Sequence, residues 1–490
     1  MKKLYIKISI IIITITGLAS CSDDFVNVDS NDVNSEDFFN SEEDYQNALI
    51  GAYDLLQSTY INVMLGEIAS DNTLAGGESA TDVIGIQEID DMIHTPVNSN
   101  LRDLWGWMYG GVNRANFILE FQDKIDFSGK DQVIAQARFL RAYYYFELVK
   151  WFGDIPLAID KQILFGEESS YERSPASEVY SLIEQDLIYA ADKLPSVPAE
   201  TGRVTKGAAQ ALLGKAYLYQ DKFSEAAQEL ETLIQSGTYS LVTDYNTIFE
   251  EEGENNIESV FEVQYTDLEG AGFGCLQCSE GNVAVGFSGV RNYEGPDFTS
   301  GFSFNVPVQE AYDAFDNDDP RRDIAILDIN AWAASTGATF GTGYEHTGYF
   351  NRKYIPRIRS DQALADLNLT NPNNYRAIRY ADVLLMAAEA NNRMATPNDV
   401  KALQYLNRVR DRAFGDILHR STATGTALKT AIWDERRLEL GMEGHRFFDL
   451  VRTGQAASKI TGWIANKNEV FPIPQAEVDI SGLTQNPGYN

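Results

Sequence analysis

Histidine and cysteine are scarce in this 490-residue chain, with four of the first and three of the second. The histidines (His94, His346, His419 and His445) show no ligand spacing, so a histidine-based metal centre has no footing. Two cysteines stand together as "CLQC", Cys275 to Cys278. Such a pair can be half a zinc site, a redox couple or a small-loop disulfide. No second ligand pair and no thioredoxin-like strand-helix context accompanies it, which leaves a local disulfide or two unpaired thiols in a Gly-rich loop. Basic residues are also short, 39 against 72 acidic ones, for a formal net charge of −33. That sign repels phosphate backbones and makes nucleic acid a poor partner, so none is expected. Beyond the N-terminus no long apolar run occurs, so the body of the chain reads as soluble.

Catalytic signatures are missing too. There is no HExxH, no GxSxG and no P-loop, since "LGKAY" lacks both the first glycine and the Ser/Thr. "GAGFG" (270–274) opens no helix and is not a dinucleotide fingerprint. "DNDDP" (316–320) lacks the Gly and terminal Glu of a calcium loop and reads as a solvated acidic turn. The acidic residues offer many carboxylate pairs for glycoside hydrolysis, but nothing singles one out. No catalytic residue, metal or cofactor is expected.

What is present begins with "MKKLYIKISIIIITITGLASC". Lys2, Lys3 and Lys7 precede an apolar stretch, Ile8 to Leu18, too short to span a bilayer comfortably. Residues 1–20 therefore read as a signal peptide. Leu18-Ala19-Ser20 before Cys21 resembles a bacterial lipobox, which makes Cys21 the lipidated first residue of the mature chain, residues 21–490. The acidic Ser22-Asp23-Asp24 that follows resembles a surface-export signal. Acyl chains in sufficient number anchor a protein stably.

The mature chain reads as mainly α. Residues 41–60 start with a Ser and an acidic first turn, and 131–153 form a long apolar-rich helix ending at Gly153. In 176–192, Val179, Ile183, Leu187 and Ala190 recur at helical spacing, with Ser174-Pro175 as N-cap and first residue. In 206–237, Leu213-Gly214, Tyr217 and Ala226 fall at tetratricopeptide spacing, with Gly214 and Ala226 small enough for close helix approach and Tyr217, Leu230 and Leu233 filling the seam. A second pair reads at 376–414, broken at Pro397-Asn398-Asp399. Residues 237–375 differ: turn formers are dense, helical periodicity is mostly absent, and 258–265 is a strand. The expectation is a tetratricopeptide-like helix-pair scaffold in one domain, with a loop-rich insertion carrying a few short strands. Binding groups concentrate in such loops.

"WDERRLELGMEGHRFFDLVRTG" (433–454) mixes arginines and carboxylates into an apolar helix. Glu435 and Glu439 lie one turn apart, with Arg436 and Arg437 able to pair across turns. Gly441 and Gly444 permit close backbone approach or helix termination, and no triad partner stands beside His445. A buried Arg–Glu network is the reading. Here a resemblance becomes specific. "ERRLELGMEGHRFFDLVRTG" resembles the C-terminal signature of the SusD/RagB family. "RFLRAYYYFELVKWFGDIPL" (138–157), "RVTKGAAQALLGKAYLY" (203–219), "RYADVLLMAAEA" (379–390), "LNRVRDRA" (406–413) and "FPIPQAEVDISGLTQNPGY" (471–489) are similar to its other blocks, in its order. Residues 237–375 match no block. The resemblance implies a non-enzymatic nutrient-binding lipoprotein of the Bacteroidetes outer membrane. Its expected partners are a glycan, or in some members a peptide, and a SusC-like TonB-dependent transporter. An anchored glycoside hydrolase is the reading from another class.

Sugar binding needs flat aromatic faces, and groups that hydrogen-bond hydroxyls. Trp105, Trp107, Trp151 and Trp433 lie in or at the ends of expected helices and read as core, and Trp463 sits near the C-terminal packing block. Trp332, in "INAWAASTGATFGTGY", lies in loop-like sequence and is the leading platform, with Phe287, Tyr293 and Tyr344 as further candidates. Asp71 and Asn72, before a Gly-rich loop, are candidate polar contacts. Cys21→Ala is expected to release the protein from the membrane or leave it unprocessed. Mature variant still fractionating with the outer membrane would refute the lipobox reading.

Overall fold

The computed structural model describes residues 38–268, 272–359 and 366–489. The signal peptide and Cys21 lie outside them. The chain is mainly α, with short strands, as expected.

The scaffold is a row of helices packed side by side. Ser99–Glu120 packs on Lys130–Phe152, which packs on Ala176–Lys193. Lys206–Tyr219, Phe223–Ser236, Tyr380–Arg393 and Asp399–Phe414 follow in turn, each against the one before. Local chemistry sets the ends. Ser41 and Asp44 form a capping box ahead of Glu42–Asp54, Thr205 accepts from Ala208 N, and Gly237 ends its helix in the left-handed conformation. A Cβ on Gly214 would fall 2.5 Å from Leu230, so glycine is what lets these two helices close up. Leu230 and Leu233 are buried in that seam, while Tyr217 is only half-buried at its edge.

Several local readings are corrected. The stretch 41–60 leaves the α-helix at Asp54 for a tighter turn, Leu55–Tyr60, before Ile61–Ile68 resumes. Pro175, not Ser174, takes the N-cap position; Ser174 is held in a strand pairing with Ile155, and the Asp154 carboxylate accepts from Ala176 N instead. Trp105 and Trp151 are core, but Trp107 and Trp433 are half-buried.

The insertion interrupts a continuous scaffold. Phe223–Ser236 and Tyr380–Arg393 pack directly on each other although more than a hundred residues separate them. Strand β4 (Ser259–Val263) pairs antiparallel with β8 (Tyr375–Arg379), tying the two ends of the insertion together. Among the described residues three further antiparallel pairs occur: β1 (Thr73–Gly76) with β5 (Phe304–Pro307), β2 (Ile155–Pro156) with β3 (Arg173–Ser174), and β6 (Ile326–Asp328) with β7 (Tyr349–Asn351). The insertion also holds short helices, including Val283–Ser288 and Ile329–Thr336.

The charged C-terminal stretch is the frame that joins insertion to scaffold. Helix Gly425–Leu440 stops at Gly441, and Arg446–Arg452 follows. Arg321 from the insertion donates to Glu435 (2.7 Å) and Glu439 (2.9 Å) and clamps Asp319. Arg379 donates to Glu439, Glu443 and Glu258, and Lys353 to Glu443 at 2.7 Å. Asp319, expected on a solvated turn, is buried beneath Arg321. Burial by itself would raise the Glu439 carboxyl, but the guanidiniums of Arg412, Arg379 and Arg321 overcome it and hold it down to about 2. His445 is pushed the other way, to about 3, by burial and by Lys215, whose ammonium lies 3.4 Å from its Nδ1. Both effects favour the uncharged imidazole. The glycines serve close approach: a Cβ on Gly66 would fall 2.4 Å from Gly444 O, and one on Gly444 2.3 Å from Asn62 O.

Arg436 bridges Asp382 (2.7 Å) and Asp449 (2.9 Å) in the same interior. Removing one partner of a buried ion pair costs about 3–5 kcal/mol. Arg436→Ala is therefore expected to lower the melting temperature by several degrees without abolishing ligand binding. Unchanged melting with lost binding would move this stretch into the site.

Candidate functional site

Three loops converge on one surface: residues 76–84 after β1, 289–303 before β5, and 337–346 after the Ile329–Thr336 helix. Backbone hydrogen bonds lace them together. Gly77 N donates to Ser303 O (2.7 Å), Tyr344 N to Gly77 O (2.9 Å) and Gly341 N to Arg291 O (2.8 Å), while Glu294 and Thr339 exchange both bonds. Glycine makes the junction possible. Gly77 has φ +92°, and a Cβ on Gly343 would fall 2.6 Å from Gly77 O. Asn292, Asp297, Ser303 and Glu345 also take left-handed φ values, strain of the kind that gathers at functional loops.

Beneath the junction lies a small separate core that includes Val290, Tyr293, Phe298, Ile329 and Phe350. Trp332 and Phe340 lie half-buried at its edge. Trp332 is not in a loop: the sequence IleAsnAlaTrp forms a helix because Asp328 caps it by accepting from Ala331 N. Its ring packs on Phe298 at 5.2 Å, and its Nε1 donates to the Tyr293 hydroxyl oxygen at 2.9 Å.

The other candidates separate. Tyr344 is 37% exposed. Tyr293 is buried, donating its hydroxyl to Pro296 O, and so reaches the surface only through Trp332. Phe287 is buried against Phe302 and Phe304 and offers no free face. Asp71 is held by two bonds from Arg446, at 2.6 and 2.8 Å, and sits below its ordinary range despite burial. Asn72 is buried, accepting from Arg437 and donating to Glu67. These two polar groups are occupied by the frame, because the loop they precede is pinned to the charged C-terminal stretch.

Polar groups on the surface come from residues the sequence reading passed over. Arg291 donates Nη2 to Phe302 O at 2.9 Å, while its Nε is buried without a partner. Glu78 and Asp82 stand 3.7 and 3.8 Å from its other nitrogens, too far for strong pairing. Glu78 and Asn292 are exposed beside it. An aromatic rim with a guanidinium, carboxylates and an amide suits polyhydroxyl ligands. The signal available was the Gly-Gly pair at 76–77, directly before Glu78.

A cleft of about 480 Å³ lies across Phe298 and is lined by Arg352, Arg357, Glu250, Asp297 and Asn373, among others. Arg357 and Glu250 neutralise one another at 2.9 and 2.8 Å, and Phe298 itself is buried, so the cleft presents no aromatic platform.

The matches to known proteins agree with this architecture. The family described as "SusD family" matches residues 247–469, and "Starch-binding associating with outer membrane" matches residues 24–218. A solved laminarin-binding SusD-like protein is 35% identical, with TM-score 0.83, covering 92% of this chain and all of its own. Surface glycan-binding protein A from Bacteroides thetaiotaomicron, solved with laminarihexaose, is 29% identical with TM-score 0.80, over 91% of this chain and 99% of its own. SusD-like protein P2 from Formosa agariphila is 27% identical over the full length of both chains. The chain belongs to the SusD family.

A carboxylate pair supports the first loop. Asp90 accepts from Ala75 N (2.7 Å) and Glu345 from Gly76 N (3.2 Å). Burial, with Glu345 and Asp91 adding, pushes Asp90 up to about 7 from its ordinary 3.8. Between those values the folded chain keeps a proton that the unfolded chain has lost, so this group's stabilising contribution falls as pH rises through the window. Asp90→Asn is expected to gain melting temperature relative to wild type between pH 5 and pH 8. A difference independent of pH would show that Asp90 titrates normally.

Proposed function

We propose that this protein captures neutral oligosaccharides at the outer membrane and passes them to a SusC-like TonB-dependent transporter. In this reading it is a lipoprotein held by Cys21, faces the cell exterior, and binds without cleaving. The observation that carries the reading is the meeting of exposed Tyr344 and half-exposed Trp332 with Arg291, Glu78 and Asn292 on one laced loop junction. The similarity to a laminarin-binding protein points to β-glucan oligosaccharides as the first ligands to test.

Charge supports a neutral ligand. Many of the chain's few arginines are spent in the interior: Arg321, Arg379, Arg412, Arg436 and Arg452 are almost wholly enclosed and ion-paired. The surface is left acidic, which disfavours polyanionic glycans. Asp90 and Glu345, a carboxylate pair near the surface, are both committed to backbone N–H groups of β1, so they hold the loop rather than a reacting bond.

Calorimetry with laminarihexaose, set beside a peptide panel, tests the ligand class, and a reducing-sugar assay tests for cleavage. Binding of peptides alone, or release of reducing ends, would overturn the reading. A stacked sugar buries apolar area at about 25 cal/mol per Å², so one platform contributes roughly 1–3 kcal/mol, about 5- to 150-fold in affinity. Tyr344→Ala is expected to weaken laminarihexaose by that factor with unchanged melting. Trp332→Ala should weaken it similarly and also melt earlier, because the indole is packed on Phe298. Unchanged affinity in either variant removes that ring from the site.

A further inference from the structure

Phe273 is an exposed aromatic side chain in a glycine-rich stretch of the insertion. It is 61% exposed. It stands between Gly272 and Gly274, and a Cβ at either position would meet nothing within 4 Å. Among the described residues its one aromatic partner is Phe302, edge-on at 5.7 Å, which leaves a ring face open. A phenyl ring so placed loses the benefit of burial, and nothing in the core requires it.

The segment is nevertheless held in place. The expectation for the cysteine pair left two states open, and the structure joins Cys275, two residues along the chain from Phe273, to Cys278. Cys275 N donates to Gly272 O at 3.1 Å, closing the turn that carries Phe273. Beyond the disulfide, the hydroxyl of Ser279 donates to Leu369 O at 2.8 Å. Constraining a short Gly-rich loop lowers the entropy it loses when a ligand orders it.

The ring is also continuous with the site. Phe302, its partner, supplies the carbonyl that accepts from Arg291 Nη2. Arg291 stands beside Glu78 and Asp82, and Gly77 O receives Tyr344 N. Inward, Phe302 meets Phe287 at 5.6 Å and Phe287 meets Phe304 of β5 at 5.2 Å. Phe273 is thus the outer end of an aromatic ladder that reaches the loop junction through Phe302 and Arg291.

We propose that Phe273 is a second sugar platform that lengthens the binding surface past Arg291, with the Cys275–Cys278 disulfide as its positioning element. The inference rests on the oligosaccharide reading above. It implies discrimination by chain length: a long glucan spans Tyr344 to Phe273, and a short one does not.

The test is calorimetry on the mature chain with laminarihexaose and laminaritriose. Phe273→Ala should lose roughly tenfold in affinity for the hexaose, which is 1.4 kcal/mol, and less than about twofold for the triose. Phe273→Tyr should restore hexaose binding. The double variant Cys275→Ser/Cys278→Ser should fall between wild type and Phe273→Ala for the hexaose, with global melting close to wild type. Hexaose affinity unchanged in Phe273→Ala, or equal losses for both sugars, would overturn the platform. Unchanged affinity in the double serine variant would overturn the role of the disulfide. Wild type that fails to bind either sugar overturns the β-glucan reading and this inference with it, whereas wild-type binding without a Phe273 effect overturns this inference alone.

Discussion

The carboxylate of Glu439 sits where three separate parts of the chain meet, out of reach of water. Arg321 comes from the insertion, Arg379 from the strand that re-enters the scaffold, and Arg412 from a scaffold helix. Each guanidinium would be costly to bury alone, and so would the carboxylate. Together they satisfy one another, and the geometry of that satisfaction sets how the insertion sits on the helices. Lys353 and Glu443 extend the same constraint deeper into the insertion.

The site inherits this constraint. Loop 76–84 follows Asp71 and Asn72, which Arg446 and Arg437 of the C-terminal stretch hold in place. Loop 337–346 precedes β7, whose Asn351 donates to Met442 O. The surface that would meet a ligand is therefore made of loops in position but of frame in origin. Glycine lets their backbones touch, and the carboxylates of Asp90 and Glu345 complete the bonding of β1 from below. The rigidity of such a surface favours ligands that present flat faces and hydroxyls without demanding closure around them.

Charge is divided between inside and outside in a consistent way. A chain with 39 basic and 72 acidic residues could have scattered its arginines over the surface. Instead many of them neutralise interior carboxylates, and the exterior keeps the excess of acid. Arg291 stands apart, with its Nε unpartnered and its two nearest carboxylates beyond strong contact, beside the aromatics of the loop junction.

The sequence by itself determined the helices, since their apolar spacing, caps and terminal glycines are local properties of the chain. It also determined that 433–454 is a framework: charges so dense in an apolar helix must pair. Gly214 could be read as a point of close approach because a small residue in a helical register has few other uses. The proposed binding surface was less legible. Trp332 looked like a loop residue because the helix that carries it is eight residues long and shows one turn of pattern at most. Asp71 and Asn72 looked available because their partners are more than 360 residues away. Arg291, Glu78 and Phe273 carried no periodic signal at all. Only the tertiary structure decided which of these face water, because exposure depends on contacts between distant segments, and no spacing within one segment records them.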